Sequence, residues 1–153
     1  MATRMYIQLG DIKGTSKDQE HADWIEIESF SYGVSNAGDA VAKAKGDASG
    51  EACSHQNILC TKPIDKTSPL LYAYCSVGKL FPAAELHVFE EKDKLFSLKL
   101  ENAMLASVGV GGTKGAGVPN ESFSVAFSKV EWGYRSEAPQ HWDLLTNSGS
   151  VEK

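Results

Sequence analysis

Apolar and polar residues alternate along most of the chain, and in two places the alternation slips by one residue. Between Asp23 and Val34, Ile25 and Ile27 occupy odd positions, whereas Phe30, Tyr32 and Val34 occupy even ones. Successive side chains of a strand point to opposite faces, so one flat strand cannot keep both sets on one side. The pattern predicts either a bulge at Glu28-Ser29, which bends the strand from one sheet surface to another, or a strand buried on both faces in turn. Glu26 and Glu28 weigh against the second arrangement, because an unpaired carboxylate is costly to bury.

The slip recurs near the end of the chain. Phe123, Val125 and Phe127 are odd, Val130, Trp132 and Tyr134 are even, and the shift falls at Ser128-Lys129. Two long bent strands predict a mainly β fold with a closed or nearly closed antiparallel sheet. Met5, Ile7 and Leu9 mark a first strand that ends at Gly10-Asp11. A weaker strand over residues 51–61 places Cys53 and His55 on one face and Ile58 and Cys60 on the other. Leu86 and Val88, a charged turn at residues 90–94, and Phe96, Leu98 and Leu100 predict a hairpin. A short strand over residues 103–108, a glycine-rich loop over 109–120 and a last strand over 121–134 follow.

One segment has helical spacing instead. Ser68 is the expected N-cap, Pro69 the first helical residue and Gly78 the stop, with Leu70, Ala73, Tyr74 and Val77 between them. A lone amphipathic helix of this length packs against the outside or one end of a sheet. Residues 36–50 hold a single branched apolar residue, Val41, and no large one, so they read as a long loop. Residues 136–153 form a polar C-terminal tail apart from Trp142, Leu144 and Leu145, which leaves residues 1–135 as one β-barrel domain.

Composition narrows the function. A chain of 153 residues can bury a core without metal or disulfide staples. The net charge of −5 and the scattered Lys and Arg residues offer no basic stripe for nucleic acid. Cys53, Cys60 and Cys75 are an odd set without zinc-type spacing, which favours free thiols in a reducing compartment. No apolar run has the length of a membrane span, and the first ten residues lack a signal core.

Candidate chemistry is thin. The stretch from Gly109 to Gly117 resembles a phosphate loop, but Gly115 stands where Ser or Thr should follow Lys114, and a strand follows instead of a helix. Cys53 and His55 share a face and could hold a metal with Cys60, Cys75 or His87, yet Cys60 points the opposite way, which favours packed cysteines and a solvated histidine. No serine sits in a nucleophile elbow. No enzyme, cofactor or metal is expected.

Several ordered stretches resemble the haemolysin-coregulated protein (Hcp) family. They are residues 9–14, residues 21–34, Thr61-Lys62 with Asp65-Lys-Thr-Ser-Pro-Leu70, Glu121-Ser-Phe-Ser, and Val130-Glu-Trp-Gly-Tyr134. The resemblance implies a small antiparallel β-barrel with one flanking helix, six copies in a ring, and rings stacked as the inner tube of the type VI secretion system. It also implies effectors carried in the lumen, sheath and spike proteins of the same apparatus as partners, and no membrane insertion. The chain would assemble in the cytoplasm and leave without a signal peptide. Trp24, Phe30, Tyr32, Trp132 and Tyr134 are the expected subunit interface, and Asp39, Val41, Lys43, Lys45 and Asp47 the expected ring-stacking residues. The competing expectations are a monomeric secreted ligand-binding β-barrel and a small barrel hydrolase or metalloenzyme.

Overall fold

The computed structural model describes residues 2–36 and 53–151. The elements follow in the order β1 (Thr3–Leu9), β2 (Ile25–Ile27), β3 (Ser29–Ser31), β4 (Val34–Asn36), β5 (Cys53–His55), β6 (Ile58–Pro63), α1 (Ser68–Val77), β7 (Leu80–Glu90), β8 (Asp93–Gly111), β9 (Asn120–Ala126), β10 (Lys129–Tyr134), β11 (Gln140–Asp143) and β12 (Ser148–Gly149). The fold is mainly β with one flanking helix, and every pairing is antiparallel.

Both slips in the sequence pattern are changes of partner. β2 pairs with β1, Ile25 opposite Ile7, while β3 pairs with β6, Phe30 opposite Cys60. Between them the Glu28 N–H donates to the Thr61 carbonyl at 2.8 Å. Likewise β9 and β10 both lie along β8, but the far edge of β9 pairs with β6 and that of β10 with β11.

The sheet runs β12-β11-β10-β8-β7-β1-β2, with β9, β6 and β3 branching from β8. Among the described residues it forms no closed barrel, which corrects the closed form of that expectation, while the mainly β class with one flanking helix stands. The ladder is interrupted at Glu28, so the sheet turns a corner around the core instead of closing strand to strand. Inside the corner lie Ile7, Leu9, Ile25, Ile58, Leu86, Leu98, Phe123 and Val125, each from the parity that alternation predicts. Glu26 and Glu28 are exposed, as their parity against Ile25 and Ile27 requires.

Other boundaries move. Residues 51–61 hold two strands, β5 and β6, instead of one. The return arm of the hairpin and the expected short strand at 103–108 are one 19-residue strand, β8, which also takes in residues 109–111. The helix N-cap is Thr67, not Ser68, and its side chain makes no cap bond. The Ser68 hydroxyl is occupied elsewhere: it accepts from the Asp65 N–H and donates to Glu121 Oε2, both at 3.0 Å. Gly78 ends α1 in the left-handed region at φ 67°, where a residue without Cβ is least strained. The segment expected as a polar tail carries β11 and β12, and Trp142 lies opposite Val130.

Candidate functional site

The outward side of the sheet has two chemically distinct halves. Across β3, β6, β9 and β8, two rows of neighbours read Ser31, Leu59, Ser124, Ser107 and Ser29, Thr61, Ser122, Gly109. None is charged. Several hydroxyls bond each other, Ser29 to Thr61 at 2.5 Å and Ser107 to Ser124 at 2.6 Å. Across β7, β8, β10 and β11 the rows read Glu85, Lys99, Glu131, His141 and Ala83, Glu101, Lys129, Asp143. Charges of opposite sign stand side by side there, Lys129 Nζ lying 3.4 Å from Glu101 Oε2.

The five expected interface aromatics do not form one patch. Trp24 is half-buried against His21 and His87. Phe30 is half-buried and stacks on Phe96 at 6.3 Å. Tyr32 and Trp132 join a cluster with His55, Phe127 and Trp142. There Trp132 Nε1 donates to the Tyr32 hydroxyl at 3.1 Å, and that hydroxyl lies 3.0 Å from His55 Nδ1. Burial lowers the proton affinity of His55, which favours the uncharged ring in this cluster. Tyr134 alone is largely exposed, at 52 %, with the Arg135 guanidinium over its ring. Asp39, Val41, Lys43, Lys45 and Asp47 lie outside the described residues, beyond the point where Asn36 of β4 pairs with Cys53 of β5.

Sequence reading missed a buried ionic cluster built from three of the stretches that carry the family resemblance. Lys62 is 0 % exposed and Glu121 1 %, and Lys62 Nζ lies 2.6 Å from Glu121 Oε2 and 3.0 Å from Asp65 Oδ1. The Thr67 N–H and hydroxyl donate to Asp65 Oδ1 at 2.8 and 2.5 Å. Burial alone would raise the Asp65 carboxyl, but the bonds from Thr67 and Lys62 outweigh it and hold the group below its usual range. The cluster fastens the start of α1 to β6 and β9. Parity was the available signal: Lys62 follows Ile58 and Cys60, and Glu121 precedes Phe123 and Val125, on inward positions.

Among the described residues no group of three or more His, Cys, Asp or Glu is placed to hold a metal, and Cys60, fully buried in the core, has its thiol pushed up to about 12 by that burial. No helix of the described residues is long and apolar enough to cross a membrane.

Residues 6–134 match the family model described as "Type VI secretion system effector, Hcp". The chain belongs to the Hcp family. It is similar to "Protein hcp1" of Pseudomonas aeruginosa, with 33 % identity over 156 residues, covering 99 % of this chain and 93 % of that one. Its fold is similar to "Structure of a type six secretion system protein", with a TM-score of 0.86 and 25 % identity over 97 % of this chain and 100 % of the other. It is also similar to Hcp1 from Salmonella typhimurium, with a TM-score of 0.82 and 24 % identity over 97 % and 99 % of the two chains. This Hcp protein is thus a type VI secretion tube protein.

Proposed function

We propose that six copies of this Hcp protein close into a ring, that rings stack as the inner tube of a type VI secretion apparatus, and that effectors travel in the lumen. The observation that carries this reading is the division of the outward sheet surface. The uncharged hydroxyl half suits a channel wall, because a passenger there meets no fixed charge and only weak, replaceable hydrogen bonds. The charged half suits solvent and the apparatus outside the ring. Tyr134, the largely exposed one of the five aromatics, supplies contact between neighbours, and Trp24, Phe30, Tyr32 and Trp132 add partly buried aromatic surface at separate places on the subunit. A ring of this kind joins two different surfaces of each copy.

Residues 36–50, with Asp39, Val41, Lys43, Lys45 and Asp47, serve stacking, and their balanced charges permit ring-to-ring contact without gross repulsion. Sheath and spike proteins of the same apparatus are the remaining partners, and secretion follows assembly in the cytoplasm.

Light scattering after size exclusion tests the ring directly. The expected mass is that of six 16.5 kDa chains, and a single-chain mass at micromolar concentration would favour the monomeric ligand-binding alternative. Placing a charge on the hydroxyl half, Ser124→Asp, should keep the ring mass and abolish effector retention. Exchanging residues 39–47 for a short Gly-Ser link should keep the ring and abolish tubes.

A further inference from the structure

Past Ile12, which packs in the core, residues 14–24 fold back on themselves, and His21 is buried against the outward Tyr6 ring of β1, 4.9 Å away and nearly parallel. Trp24 and Phe89 stand edge-on to the imidazole, each at 4.7 Å. Four titratable side chains form an unbroken line through this box. Asp18 Oδ2 lies 2.8 Å from His21 Nδ1, His21 Nε2 lies 3.0 Å from His87 Nδ1, and His87 Nε2 lies 2.8 Å from Glu85 Oε2.

Proton counting decides what this line is. A carboxylate only accepts, so each outer ring nitrogen must carry a hydrogen to bond it. A neutral imidazole carries just one hydrogen. With both directed outward, the two inner nitrogens would face each other lone pair to lone pair at 3.0 Å. Reversing one tautomer fills the middle contact but sets a bare nitrogen against a carboxylate. All three contacts are hydrogen bonds only when the two rings together hold three hydrogens.

We propose that His21 and His87 share one excess proton in the folded protein and that this proton clasps residues 14–24 onto β7. The surrounding charges fit. Arg4 Nη1 lies 3.6 Å from Asp18 Oδ1, Lys99 stands opposite Glu85 across β7 and β8, Lys94 also acts on Glu85, and Glu26 and the Tyr6 hydroxyl border the box. Hydrogen bonds from the two histidines are the main cause holding Asp18 and Glu85 below their ordinary values, which keeps both carboxylates ionised as acceptors.

The docked segment binds a proton that the released segment does not keep, so docking weakens as pH rises past its loss. A fourth hydrogen would set two N–H groups head to head and open the clasp from the acid side. The segment is therefore held best in an intermediate range, in a single chain or a ring alike. The clasp makes one face of the subunit responsive to a change of compartment.

The test uses the full chain labelled with 15N in histidine, its ring signals assigned through the backbone. At neutral pH, His21 and His87 should show three protonated nitrogens and one bare nitrogen between them. Two of each would overturn the proposal. Independently, hydrogen exchange at Gly14, Ser16 and Trp24, whose amides bond within the segment, should speed up about tenfold or more relative to β8 as pH rises and the proton leaves. In Glu85→Gln, which keeps both rings, this loosening should move to lower pH. A purely structural contact would instead lower protection equally at every pH. An unshifted profile in Glu85→Gln, or a wild-type profile that stays flat while the third hydrogen is lost, would also overturn it.

Discussion

Lys62 shows how much a single side chain can hold when it is buried with its partners. Its ammonium is closed off from water and held by Glu121 and Asp65, so removing one member leaves an uncompensated charge in the core. Lys62→Met and Glu121→Gln are each expected to cost about 3–5 kcal/mol in urea unfolding. Lys62→Met combined with Glu121→Leu should recover most of that loss, because the buried charge goes with its partner. Asp65 adds an acid limb. Its carboxyl is held below its ordinary value in the folded chain, so its contribution is fully present above that ordinary value and disappears as pH falls through the lower, folded one. Asp65→Asn should therefore flatten the acid side of the stability profile while lowering its plateau, which unfolding midpoints across acid pH would check. Neither lysine nor glutamate was legible as a core residue, since their charge argues outward while their parity argues inward. The decision lies with a partner about sixty residues away along the chain.

Elements were legible where the signal is local. The slips at Glu28 and Ser128 are statements about which face a side chain takes, and the strands do break there. What each half then pairs with was not legible, because partner choice depends on which strand lies alongside. Ser68 misled for a related reason: a serine before Pro69 looks like a cap, but tertiary contact with Glu121 claims its hydroxyl. β11 stayed hidden because its four residues carry one large apolar side chain, Trp142, too few for alternation to register. That strand nevertheless covers the β10 edge and closes the cluster around His55. Trp142→Ala is expected to lower stability by about 2–3 kcal/mol, somewhat below the range for a fully buried tryptophan because the ring is half-exposed. Thermal unfolding followed at the remaining tryptophans would show it, and an unchanged midpoint would mean the strand adds nothing to the fold.

At the scale of the whole molecule, the proposed stacking segment, residues 36–50, and the hydroxyl half of the two-part outward surface should respond differently to ions. Contacts made by charged rims weaken as salt shortens the screening length, whereas hydrogen bonds to neutral hydroxyls do not. Raising salt from 0.1 to 1 M, roughly a threefold drop in Debye length, should dissolve tubes into rings while effectors stay in the rings; sedimentation would separate the two outcomes. Beneath both halves runs β8, which has β7 along one edge of its first part and β9 and β10 along the other. At about 3.4 Å per residue its 19 residues give a contour of roughly 60 Å. Such a strand is a spar common to two panels, and a load applied to either panel passes into the other through covalent bonds. Pulled from its ends in an optical trap, the subunit should yield in one rupture instead of shedding the panels in turn. In the proposed tube, a thrust delivered at one end would then meet a stiff body, with little of it lost to stretching within each subunit.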